Sequence, residues 1–103
     1  MGVWVAAADL EPGEMVVHRS FANVLKGARA IGGQVTVTDR RVLFIPNRLD
    51  ALTGGTRVEI TRQDITATRI GAGVRVQVEI DYPAGTLALT VRDVVALSSA
   101  LEQ

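Results

Sequence analysis

The sequence predicts an α+β domain in which about seven short antiparallel strands form a strongly bent sheet or small barrel, with one carboxy-terminal helix covering an opening. Three observations carry this. Apolar and polar residues alternate in several segments, most plainly where Val74, Val76, Val78 and Ile80 interleave with Arg75, Gln77 and Glu79. Pro, Gly and Asp clusters interrupt these segments at short intervals. After Asp93 the period changes, so that Val94, Leu97 and Leu101 lie three or four residues apart.

Each element follows in order. Leu10-Glu11-Pro12-Gly13-Glu14 reads as a turn, because Pro12 presets φ at its first central position and Gly13 tolerates positive φ at its second. Glu14 to Leu25, with Val16, Val17, Phe21, Val24 and Leu25, reads as one long or bent strand. Lys26 to Gly33 reads as a glycine-punctuated loop. The next two runs form a hairpin around Asp39-Arg40, in which Val37 faces Val42 and Val35 faces Phe44 on a core side. Its other side sets Gln34, Thr36 and Thr38 against Ile45, Leu43 and Arg41, a mixed surface.

Pro46 ends that strand, and residues 47–56, with Gly54-Gly55 at their tip, form an exposed connection. Short strands follow at Arg57 to Ile60 and Ile65 to Ile70, separated by a Gln63-Asp64 corner. Gly71-Ala72-Gly73 is a turn; it lacks the third glycine and the following helix of a dinucleotide loop. Strands at Val74 to Ile80 and Thr86 to Val91 flank a turn at Asp81 to Gly85. Asp93 caps the closing helix, whose apolar stripe must dock on the sheet because about ten helical residues are marginal alone.

The chain has 103 residues, no cysteine, one histidine and 11 basic against 11 acidic residues. That length makes residues 1–103 a single domain, with 1–9 a peripheral extension. The absence of cysteine removes disulfides and thiolate chemistry. A lone histidine leaves no basis for a metal site, and neither a metal nor any cofactor is expected. Zero net charge argues against nucleic-acid binding, which depends on neutralising many phosphates. No secretion signal or membrane-spanning run is evident, so the expected location is the cytoplasm, with peripheral attachment to the inner face of the membrane as the alternative. Ten arginines against one lysine, together with abundant alanine, valine and glycine, suggest a GC-rich bacterial genome.

The turn Leu10-Glu11-Pro12-Gly13-Glu14, then Gly33, Val35 and Val37, then Thr38-Asp39-Arg40-Arg41-Val42-Leu43-Phe44, resemble the GRAM domain pattern, within the pleckstrin-homology-like (PH-like) superfamily. The similarity extends through Ile60, Ile65 and the terminal helix. It implies a partly open, seven-stranded antiparallel β-barrel capped by the carboxy-terminal α-helix, serving as a non-catalytic module that binds proteins or lipid headgroups. Lys26 and Arg29 lie in the first inter-strand loop, where lipid-binding relatives place their phosphate-contacting bases. They are the candidate anion or lipid site, with Ile31 available to insert beside them.

Two bases are few for a phosphoinositide headgroup. Protein interaction or self-association is therefore the preferred function, with Trp4 in the amino-terminal extension and Leu43 and Ile45 on the outer hairpin face as candidate contacts. Binding of an anionic membrane lipid is the alternative. Arg40 and Arg41 are read as a solvated tip beside Asp39. Arg57, Arg62, Arg69 and Arg75 are read as a mixed-charge face with Glu59, Asp64 and Glu79. His18 and Ser20 share a strand face without a third group to make a catalytic pair, so no enzymatic activity is expected.

Overall fold

The computed structural model describes residues 10–26, 29–47, 57–71 and 77–102. Seven strands, β1 (Val16–Lys26), β2 (Arg29–Thr38), β3 (Arg41–Pro46), β4 (Val58–Thr61), β5 (Ala67–Gly71), β6 (Gln77–Tyr82) and β7 (Gly85–Val91), precede helix α1 (Val94–Glu102). All pairings are antiparallel, and the sheet order is β4-β3-β2-β1-β7-β6-β5. Two runs of sequence neighbours, β1 to β4 and β5 to β7, are thus joined only where β1 meets β7. That seam consists of Ala22↔Val91, Asn23↔Thr90 and Val24↔Leu89.

The inward faces of six strands meet in one cluster. Val35, Val37, Val42 and Phe44 pack there with Ile60 from one end of the sheet order and with Val78, Ile80, Leu87 and Leu89 from the other half. A flat sheet would hold these groups apart, so their shared burial shows a sheet curved around its core in the manner of a barrel. β4 and β5 remain edges, and the barrel is open between them. Leu97, Ala100 and Leu101 cover the cluster from the helix. Asp93 Oδ1 accepts the Ala96 amide at 2.9 Å, which satisfies one of the donors left free at a helix start.

The hairpin register is the expected one, with Val37 opposite Val42 and Val35 opposite Phe44. The Pro12-Gly13 turn also forms: Gly13 has φ +80°, and the Glu14 amide donates to Glu11 O at 3.0 Å. The Lys26 to Gly33 loop does not. β2 already begins at Arg29, and Gly32 and Gly33 lie within it, opposite Asn23 and Ala22. A Cβ on Gly33 would sit 2.3 Å from Ile45 O, so glycine there serves the close passage of β3 and does not mark a turn. β6 likewise runs on to Tyr82, leaving only Pro83 and Ala84 between it and β7.

Candidate binding surfaces

One end of the sheet is locked by a buried ion pair. The Pro12-Gly13 turn brings Glu14 over the tip of the β2–β3 hairpin, where Arg41 donates from Nε to Glu14 Oε2 and from Nη2 to Glu14 Oε1, each at 2.8 Å. Arg41 Nη1 donates to Glu59 Oε1 on β4 at 2.9 Å. Thr38 Oγ1 donates to Glu14 Oε2 at 2.6 Å and accepts the Arg40 and Arg41 amides. The Glu14 side chain is fully shielded from solvent and the Arg41 side chain nearly so. Arg41, followed by Thr38 and the Glu11 amide, pulls the Glu14 pKa down to about 2 against the opposing effect of burial.

This overturns the reading of Arg41 as part of a solvated tip beside Asp39. Asp39 Oδ1 instead accepts the Met15 amide at 2.9 Å, and all three Arg41 guanidinium nitrogens face carboxylates. Arg62 also departs from the expected mixed-charge stripe. From the 3-10 turn at Arg62–Asp64 it donates to Thr38 O at 2.7 Å, to Ala100 O at 2.8 Å and to Leu101 O at 3.3 Å. A cation is thereby placed on the carbonyl end of α1, where the helix dipole favours it. Two further members fit better, Arg69 pairing with Glu79 and Asp81 and Arg57 lying 3.8 Å from Glu59, while Arg75 lies outside the described residues.

The outer hairpin face is not a mixed surface. Leu43 is 0 % and Ile45 7 % exposed, and Thr36, Thr38 and Arg41 are buried with them, so the two candidate contacts do not form an exposed patch. Alternation assigns residues to faces but does not say which faces are covered. β3 is buried along its whole length, and its uninterrupted Val42-Leu43-Phe44-Ile45 run is the signature of a strand buried on both sides.

Lys26 and Arg29 are the last backbone pair of the β1–β2 hairpin. Beside them the barrel opens in a small mouth of about 210 Å³, lined in part by Val24, Leu25, Ile31, Phe44, Tyr82 and Thr86. Ile31 is only 4 % exposed and belongs to the core, so it is not available for membrane insertion in this arrangement. Trp4 lies outside the described residues. His18 Nε2 and Ser20 Oγ are 3.1 Å apart on β1.

A larger groove, about 520 Å³, crosses the outer face of the sheet over the β1–β7 seam. Ala22 and Val24 point inward, so Phe21 and Asn23 point outward, as do Thr90 and Arg92. Gly32 adds no side chain next to Asn23, and the Asn47 amide donates to Gly32 O at 2.9 Å, setting Asn47 at the far wall. Phe21 is 73 % exposed. Thr90 Oγ1 is shielded from solvent and has no hydrogen-bond partner among the described residues. Sequence reading counted Phe21 among the apolar residues of its strand without assigning it a face; alternation from Val24 through Ala22 supplies that signal.

Among the described residues no helix is long and apolar enough to cross a membrane, and no group of three His, Asp or Glu is arranged to hold a metal ion. No protein-family model and no curated protein matches the chain. The fold is similar to a crystal structure of the C-terminal domain of an unknown protein from Leishmania infantum, with a TM-score of 0.68 and 17 % identity over 89 % of this chain and 88 % of that one.

Proposed function

We propose that this chain is a non-catalytic, GRAM-like module of the pleckstrin-homology type that acts by contacting another protein. Seven antiparallel strands closed by a carboxy-terminal helix are compatible with that family, as is the turn and hairpin sequence that resembles it. The observation that carries the functional reading is Phe21. An aromatic ring left 73 % exposed beside a groove of about 520 Å³ has the character of an interface anchor, since aromatic side chains dominate the energetics of protein contacts. The preferred surface therefore moves from Leu43 and Ile45 to the outer faces of β1 and β7.

The test is affinity capture and analytical sedimentation of the wild type beside Phe21→Ser. Because the ring is exposed, the variant is expected to melt within a few degrees of the wild type. The wild type should self-associate or retain a protein that the variant releases. A strictly monomeric wild type that retains nothing, or equal capture by both proteins, would sink the proposal.

A further inference from the structure

We propose that the groove over the β1–β7 seam docks an acidic peptide segment, one that carries a carboxylate next to an apolar side chain. This deepens the reading of the chain as a protein-contacting module and rests on it. The groove supplies an apolar wall and a cation at separate points: Phe21 on β1 and Arg92 just beyond β7. Among the described residues its lining contains no Asp or Glu. Arg92 is exposed and makes no ion pair among the described residues, in contrast to Arg41, Arg57 and Arg69. The neighbouring Asp93 is already committed to the Ala96 amide at the start of α1.

Between these two points lies an exposed donor. Asn23 is exposed, and its amide makes no hydrogen bond among the described residues; it suits a peptide carbonyl or a carboxylate. A carboxylate satisfies Arg92 through charge-assisted hydrogen bonds, and an adjacent apolar side chain covers Phe21.

The experiment is selection of a phage-displayed library of random nine-residue peptides on the immobilised full chain. Selected peptides are then synthesised and titrated calorimetrically against the wild type, Arg92→Glu and Phe21→Ser, with thermal melts confirming that both variants are folded. The expected winners carry Asp or Glu beside a large apolar residue. Their affinity should fall at least about tenfold with either variant, and equally when the acidic residue is replaced by its amide. Winners that lack acidic residues, or that bind both variants as tightly as the wild type, would overturn the acidic-peptide assignment while leaving the module a protein binder. Failure to select any peptide overturns the assignment; the broader reading then stands or falls on the capture experiment with Phe21→Ser.

Discussion

Replacing Arg41 by Met tests the most strongly constrained interaction in the molecule. The substitution keeps much of the side-chain volume but strips the cation from a fully shielded carboxylate. Breaking a buried pair from one side typically costs about 3–5 kcal/mol, because the remaining charge has lost both water and partner. The depressed pKa of Glu14, whose largest cause is the hydrogen bond from Arg41, points the same way: the folded state favours the ionised carboxylate because Arg41 is there. A domain of this size is stabilised by only about 5–15 kcal/mol, so Arg41→Met should remove a large part of the total and lower Tm by at least about 12 °C.

The pH dependence gives a sharper signature. In the wild type the folded-state pKa of Glu14 is depressed, so its contribution is present above about 4.5 and is lost as pH falls toward 2. In Arg41→Met the largest cause of that depression is gone, so the folded-state pKa of Glu14 rises while Thr38 and the Glu11 amide remain, and protonation of Glu14 relieves the fault at a higher pH. The gap between the two proteins should narrow steadily from pH 7 to pH 3, as measured by urea unfolding followed by circular dichroism. Adding Glu14→Gln to Arg41→Met should recover at least about 1 kcal/mol at neutral pH. A single-variant loss below about 1 kcal/mol, or a gap that does not change with pH, would refute the argument.

Phe44→Ala should cost about 3–5 kcal/mol by urea titration, because the ring is only 1 % exposed at the centre of the core; a loss under 1 kcal/mol would contradict that placement. Arg62→Ala should lower stability by about 1–3 kcal/mol and accelerate amide exchange in α1, since it frees the Ala100 and Leu101 carbonyls at the helix end; unchanged exchange there would show the cap to be idle. Leu43→Glu should unfold the domain or lower Tm by tens of degrees, as it forces a charge into a site with no exposure; a stable, soluble variant would restore the outer hairpin face as a contact surface.

The parts of the fold that sequence reveals are those set by neighbours a few residues apart. Period-two alternation around Asp39-Arg40 specifies Val35↔Phe44 and Val37↔Val42, and Pro12-Gly13 specifies its turn, because each depends on local geometry alone. Glu14 and Arg41 are 27 positions apart, and nothing local to either announces the other. The same holds for Arg62, whose partners Ala100 and Leu101 lie 38 and 39 residues away. Face assignment failed differently. Alternation puts Leu43 and Ile45 on the side of the strand where they lie, but the burial of that side follows from how the sheet is covered, which the hairpin sequence does not encode. The groove escaped notice because it is made partly of a missing side chain at Gly32 and of strands brought together only by closure of the sheet.

That closure has a kinetic meaning. Each half of the sheet, β1 to β4 and β5 to β7, can zip from adjacent strands, but the seam between them asks residues 22–24 to find residues 89–91 across about two-thirds of the chain. The entropy of closing such a loop is lost before the three seam pairs reward it, so the seam belongs late in folding, and mutations along it should speed unfolding more than they slow folding. The groove lies across that same seam. A partner seated there holds both halves at once and binds only the closed sheet, so occupancy at a hundred times the Kd would raise the unfolding free energy by about 2.7 kcal/mol. Recognition and the lifetime of the native state would then be read from one and the same joint.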